Sequence, residues 1–216
     1  FSASLPVGAG LGSSAALCVA TSAALTRLAD IISRAAVEGG GERGGGGLRR
    51  PSGSELERIN AWAFAGETVL HGTPSGLDNT VSCYGGAIKF VKGMDGTANT
   101  TQPIPGFPPL PILLTNTLVP KNTGALVAGV RRLLEAHRPA TAATFDAIGA
   151  IAAEFLDRAA ASVPAATPPL TAECVGELAE MNHRLLCALG VGHPALERVC
   201  EVASAHGCRS KLTGAG

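Results

Sequence analysis

Pro6-Val7-Gly8-Ala9-Gly10-Leu11-Gly12-Ser13-Ser14-Ala15-Ala16 is the stretch on which the reading of the fold turns. It follows a short β-like run, Phe1 to Leu5, and opens into an alanine-rich segment that predicts a helix from Ser13 to about Ala29. Alternate glycines let the backbone turn sharply and approach a ligand, because no Cβ stands in the way. A helix N-terminus adds unpaired N–H groups and the positive end of its dipole. Together these form a cradle for an anion, phosphate above all. Ser13 and Ser14 put hydroxyls at its mouth, placed to cap the helix or to touch a metal riding on the phosphates.

Three readings compete for this stretch. Gly10-x-Gly12-x-x-Ala15 satisfies the relaxed dinucleotide fingerprint, but Asp30 still lies at the helix end where a ribose-binding strand acid is required. Gly12-Ser13-Ser14-Ala15-Ala16 approaches a nucleophile elbow yet lacks its closing glycine. A capping loop without a ligand is the plain alternative. No G-x-x-x-x-G-K-[ST] occurs, which excludes an ordinary P-loop.

Working outward, 216 residues suffice for one large or two small domains, and 46% hydrophobic content is that of a globular chain. Basic and acidic residues balance at 17 each, so nothing points to nucleic acid or an anionic membrane as a partner. Six cysteines show no C-x-x-C pair and fall mostly among apolar residues. They read as small buried hydrophobes in a reducing compartment, the cytoplasm, not separated here from the peroxisome. Thr21, Ser22 and Thr26 interrupt the best apolar run, so no membrane span is expected.

The first helix carries Leu17, Ala20, Ala24 and Leu28 on one stripe. Gly39 to Ser54 is nearly all glycine, arginine and serine and reads as a flexible surface insertion, its arginines solvated. Ser54 to Leu70 is a helix with Leu56, Ile59, Ala63, Gly66 and Leu70 stepping by three and four, Ser54 as N-cap, and Trp62 in the core. Gly72, Pro74 and Gly76 then force a loop, a short helix restarts at Asp78-Asn79, and Gly85-Gly86 leads into a strand from Ala87 to Val91. Gly93 to Pro111 is the best linker, giving domains at 1–106 and 107–216. Beyond it, Pro111 to Thr117 reads as a buried strand. Helices follow from Thr123, over about Thr141 to Ser162, Thr171 to Leu189 and Pro194 to His206, and a strand from Arg209 to Leu212.

The chemistry gathers around the second helix. Glu67 and His71 stand one turn apart on the same flank, and Asp78 follows across a glycine-proline loop. One carboxylate can hold a divalent cation while the other accepts a proton from a hydroxyl. Beside a phosphate cradle, the economical hypothesis is phosphoryl transfer from a nucleotide to an alcohol, a reaction in which the protein positions groups and balances charge. Each residue also has a plainer role: Glu67 as an exposed helix acid, Asp78 as an N-cap, His71 as a C-terminal cap. His183 and His193 read as makers of local hydrogen bonds near turns.

The first loop resembles the P-x-x-x-G-L-G-S-S-A-A signature of the galactose, homoserine, mevalonate and phosphomevalonate kinases, the GHMP superfamily. Gly66-Glu67 followed by His71-Gly-x-Pro-Ser-Gly-x-Asp78-Asn79 narrows the resemblance to its mevalonate kinases. So do the stretch from Leu113 through Val119-Pro-Lys-Asn-Thr123 to Val130, Met181-Asn182 with Ala188 to His193, and Ser210-Lys-Leu-Thr-Gly-Ala-Gly216, similar to the family's third, glycine-rich motif. Only the Gly39–Ser54 insertion falls outside it.

The resemblance implies an α+β fold of two partial domains, S5-like and ATP-binding at the N-terminus, ferredoxin-like and helical at the C-terminus, with the active site between them. It implies ATP-dependent phosphorylation of the C5 hydroxyl of (R)-mevalonate in isoprenoid and sterol synthesis, with ATP and Mg²⁺ as cofactors. Asp78 would be the base, and Ser14 and Glu67 would hold the metal. Gly8, Ala9, Gly10, Leu11, Gly12, Ser13 and Ser14 would line the triphosphate. His71, Thr123 and Ala215 would lie near the substrate. Neither nucleic acid nor membrane is implied, and a homodimer is expected from the family alone. The family's first motif, with a lysine paired to the catalytic aspartate, does not occur between Phe1 and Gly216, so this segment by itself is expected to be inactive and poorly stable. Two further readings stand beside this one: another small-molecule kinase of the superfamily, for a phosphomevalonate or a sugar, and a noncatalytic nucleotide-binding relative.

Overall fold

The computed structural model describes residues 11–37, 49–72, 74–93, 97–120, 122–159 and 170–214. The strand expected over Phe1–Leu5, the loop residues Gly8, Ala9 and Gly10, most of the insertion and Ala215 lie outside them. The chain divides into two compact units, Phe1–Pro103 and Ile104–Gly216.

The first unit holds α1 (Ser13–Val37), α2 (Gly53–His71), α3 (Leu77–Tyr84), β1 (Ala87–Val91) and β2 (Thr100–Ile104), the two strands pairing in one small sheet. Its helices cross closely because the contact face is built of small residues. Ala15 and Ala63 are fully buried with Ile59 beside them, and a Cβ added to Gly66 would come within 3.0 Å of Cys18 Sγ. That intimacy turns the larger side chains outward. Leu17, Ala20, Ala24 and Leu28, the stripe read from the periodicity, form the exposed face of α1, and Trp62 and Leu70 are exposed on α2.

α1 also runs farther than its alanine-rich start foretold, and its Ser13–Ala36 stretch is long and apolar enough to cross a membrane by length and composition. The three hydroxyl residues do not offset the added Ile31 and Ile32. Here it packs against α2 and α3.

α2 starts earlier than expected. Ser52, not Ser54, is the N-cap: its hydroxyl accepts from the Glu55 N–H at 3.4 Å while Glu55 Oε2 accepts from the Ser52 N–H at 2.7 Å. This is a reciprocal capping box. Arg49, read as a solvated insertion residue, donates to Glu55 at 2.8 Å. β2 occupies the stretch read as linker, pairing Thr100–Ile104 with β1 where composition alone suggested an open chain.

The second unit holds α4 (Thr123–Ala136), α5 (Arg138–Ala159), α6 (Ala172–Ala188) and α7 (Pro194–Ala205). Asn122, Thr171 and His193 cap α4, α6 and α7 through side-chain acceptors. Phe107 meets Phe155 with ring centroids 5.9 Å apart, and Ala159, Leu178, Leu189 and Leu212 are buried. Pro111–Thr117 is neither buried nor a strand: Ile112, Leu113 and Leu114 are exposed. A strand exists only with a ladder partner, and no described segment pairs with this run. Arg209–Leu212 is not a strand either, for the same reason, although side chains hold it on α6.

Candidate active site

The site described here lies wholly within the first unit and is assembled from the start of α1, the end of α2 and the start of α3. α1 begins at a sharp bend: Gly12 has φ of +69°, a left-handed value that suits glycine, and its carbonyl accepts the N–H of Ala16 at 2.9 Å to close the first turn. Leu11 and Ser13 flank it, both half-buried. The N–H groups of this first turn have no carbonyl partner inside the helix.

Ser14 projects from that turn toward α2. Its hydroxyl lies 3.4 Å from Glu67 Oε2, to which it donates, and 3.2 Å from His71 Nε2. His71 Nε2 in turn stands 4.0 Å from Glu67 Oε2, the i,i+4 relation anticipated from the sequence. Glu67 is 5% exposed, far from the exposed helix acid that was the plain alternative. Its other oxygen, Oε1, accepts from Cys18 Sγ at 3.7 Å. Burial, and then the neighbouring Glu67 carboxylate, push the Cys18 thiol pKa above its ordinary value. Among the described residues this buried carboxylate is met by a hydroxyl, a thiol and an imidazole, a setting short of positive charge.

Asp78 enters from α3. The glycine-proline loop turns through Gly76, whose φ of +81° makes it the left-handed N-cap of α3. Asp78 therefore occupies the first helical turn and is not the N-cap. Its side chain lies over Gly12: a Cβ added there would be 3.7 Å from Asp78 Cβ and 4.0 Å from Oδ1. α3 is held in this setting by its next residue. Asn79 is 2% exposed and its Nδ2 donates to Asn60 Oδ1 on α2 at 2.7 Å. Thr80 Oγ1 donates to the Gly76 carbonyl at 2.6 Å, and Asn99 Nδ2 donates to the Ser75 carbonyl at 3.1 Å. Asp78 itself stays open to solvent.

Gly12, Ser14, Glu67, His71 and Asp78 thus share one locality. Thr123 is the exposed first residue of α4, in the second unit. The sequence reading missed Cys18, Asn60 and the Asn79 clamp. A signal for the last was present: Asn60, Ala63, Glu67 and His71 recur at steps of three and four, which puts them along one side of α2.

The oxygen donors fit a small divalent cation. An octahedral ion with ligands at about 2.0–2.1 Å sets neighbouring oxygens about 3 Å apart, and Ser14 Oγ and Glu67 Oε2 stand at 3.4 Å, on a site lacking positive charge.

Residues 1–86 match the family model for the GHMP kinases N terminal domain. The chain is 44% identical to mouse mevalonate kinase over 98% of its own length and 50% of that protein's. It is 43% identical to the human mevalonate kinase over 98% of its length and 50% of that protein's, and 42% identical to the Arabidopsis thaliana one over 98% and 52%. The chain spans about half the length of these curated relatives. Its fold matches the crystal structure of L. major mevalonate kinase in complex with R-mevalonate at a TM-score of 0.70, with 23% identity, over 95% of this chain and 54% of that one.

Proposed function

We propose that this chain, which carries the GHMP kinase fold, is part of a mevalonate kinase that transfers the γ-phosphoryl group of ATP to the C5 hydroxyl of (R)-mevalonate. The observation that carries the reading is the meeting of Ser14, Glu67 and Asp78 around the first turn of α1. A helix N-terminus binds phosphate oxygens through its free N–H groups and dipole. The bend at Gly12, with φ of +69°, marks that end of the helix.

Asp78 is the group we assign to accept the proton of the attacking hydroxyl, and its solvent-open carboxylate beside Gly12 is reachable by a small alcohol. Ser14 and Glu67 are the residues that would hold Mg²⁺, which when bound neutralises charge on the phosphate oxygens. His71, hydrogen-bonded to Ser14, orients that hydroxyl. We assign Thr123 and Ala215 to the neighbourhood of the substrate, and Gly8, Ala9 and Gly10 to the triphosphate, on family resemblance. A reducing compartment, cytoplasm or peroxisome, is proposed on the cysteine usage of the sequence. A homodimer, proposed on the same resemblance, is read by light scattering of the full-length protein.

The test is turnover. Full-length protein should phosphorylate (R)-mevalonate with ATP and leave phosphomevalonate and sugars largely untouched; preference for one of those would reassign the substrate. Asp78→Asn should cut kcat by roughly 10²-fold or more while ATP still binds. Equal rates in the two proteins would remove Asp78 from its role, and ATP binding with no acceptor at all would favour the noncatalytic relative.

A further inference from the structure

A second constellation lies in the helical unit, among residues that the kinase reading does not use. α6 presents His183 and Cys187 one turn apart, and α7 presents Glu197 and Cys200 at a spacing of three. The two pairs meet. His183 Nε2 stands 3.0 Å from Glu197 Oε1, 3.7 Å from Cys187 Sγ and 3.5 Å from Cys200 Sγ. Cys187 Sγ stands 3.2 Å from the same Glu197 oxygen. The turn between the helices closes on them: a Cβ added to Gly192 would lie 3.1 Å from Cys187 Sγ.

Hydrogen bonding alone does not account for this convergence, because Nε2 of a neutral imidazole carries one proton at most and three groups crowd it. A tetrahedral ion bound at about 2.0–2.2 Å by nitrogen and oxygen and about 2.3 Å by sulfur sets its ligand atoms roughly 3.3–3.8 Å apart. The observed separations fall close to that range, and the ligand atoms of His183, Cys187 and Glu197 all lie within 4.8 Å of one another. His183 is 1% exposed, whereas the Glu197 side chain is 38% exposed, which gives an ion a way in. Imidazole and thiolate favour a borderline-soft ion over Mg²⁺. Two thiolates and a carboxylate outweigh a divalent charge by one, and Arg184 Nη1, 3.7 Å from Glu197 Oε2, offsets the excess.

We propose that His183, Cys187 and Glu197, with Cys200 as the fourth ligand, form a site for a thiophilic divalent cation, Zn²⁺ above all, and that filling it loosens the chain at Leu212. On binding, each thiol loses its proton to solvent. The imidazole changes tautomer as well. Its Nδ1 accepts the backbone N–H of Leu212 at 3.2 Å, so the ring proton sits on Nε2, where the metal needs the lone pair. A metal-bound imidazole carries its proton on the outer nitrogen, and there it meets the Leu212 N–H, donor against donor. Occupancy of the site and the anchoring of Leu212 therefore exclude each other. Arg209, bound to Glu180 at 2.6 Å, keeps the preceding residues on α6. Nothing in this inference depends on the kinase reading.

The experiment uses the full-length protein in Mg²⁺ buffer, with bound Zn²⁺ measured by equilibrium dialysis and the donor atoms read from Co²⁺ spectra. Changes beyond the ligand shell alone cost about 10–100-fold in metal affinity, so losing a ligand should cost about 100-fold or more. Wild type should bind an equivalent of Zn²⁺ that Cys187→Ser and Cys200→Ala weaken by that factor. Cys187→Ser keeps a hydroxyl donor for Glu197 and should fold like wild type by circular dichroism. Glu67→Gln should retain the equivalent, which separates this site from the one on α2. Co²⁺ should give a thiolate charge-transfer band that weakens in each cysteine variant. Amide exchange at Leu212 should speed up about tenfold when Zn²⁺ is added to wild type, the worth of one hydrogen bond, and stay unchanged in Cys187→Ser. Equal Zn²⁺ affinity in wild type and Cys187→Ser, a Co²⁺ spectrum without a thiolate band, or exchange at Leu212 that Zn²⁺ does not alter would overturn the proposal.

Discussion

Asp78 lies against Gly12, its Cβ 3.7 Å from where a side chain at Gly12 would begin. Residues 66 positions apart in sequence are thereby brought to one point at the start of α1, and the bend that makes this possible is a backbone state few residues tolerate.

Gly12→Ala tests that bend. The added Cβ meets Asp78 at ordinary contact distance, so space is not the obstacle; the φ of +69° is. The left-handed state costs a side-chain-bearing residue about 1–2 kcal/mol, and the substitution should destabilise by that amount in chemical denaturation. Turnover should fall further than stability explains, because relaxing the bend moves the helix end away from Asp78.

Gly66→Ala tests the closeness of α1 and α2. Its Cβ would come within 3.0 Å of Cys18 Sγ, so the thiol must give way. Overpacking of this kind costs about 1–3 kcal/mol. Cys18→Ala in the same chain removes the obstructing sulfur and should restore most of the loss; a double variant no better than Gly66→Ala alone would place the strain elsewhere.

Glu67→Gln should be visible at Cys18. Burial and then Glu67 raise the Cys18 pKa, so removing the charge should shift the pH–rate profile of thiol alkylation downward without returning it to the free-thiol value. The same variant should raise the Mg²⁺ concentration needed for half-maximal turnover. An alkylation profile identical to wild type would show that Glu67 does not act on Cys18.

Cys187 carries a prediction for alkaline pH. Burial, and then the hydrogen bond to Glu197, push its pKa up to about 11 from an ordinary 9.0. Between those values the unfolded chain has lost the thiol proton while the folded chain keeps it. Folding stability should therefore fall as pH rises from about 9 to 11. Cys187→Ala should flatten that part of the curve relative to wild type, measured by urea denaturation at each pH.

The helices and loops of this fold were legible because their punctuation is local. Gly72-Thr-Pro-Ser-Gly76 ends α2, Asn122 and Thr171 announce α4 and α6, and Gly85-Gly86 opens β1. The relation between Glu67 and His71 was legible for the same reason, being a property of one helix. What escaped reading was whatever depends on a neighbour. Periodicity put Leu17, Ala20, Ala24 and Leu28 on one stripe of α1 without saying which way it faces, and helices that approach as closely as Cys18 and Gly66 bury small residues on another. Pro111–Thr117 has the composition of a strand and no edge to pair with among the described residues. His183 looked like a turn residue, and only the course of the chain past α6 reveals Leu212 beside it.

The hidden amide bridge between Asn60 and Asn79 carries a consequence for genetics. Neither side chain is assigned to meet a nucleotide or an alcohol, yet together they orient the turn that presents Asp78. A mutational screen scored on growth alone would rank both asparagines among the residues of the chemistry. Only a structural readout taken alongside would return them to the scaffold.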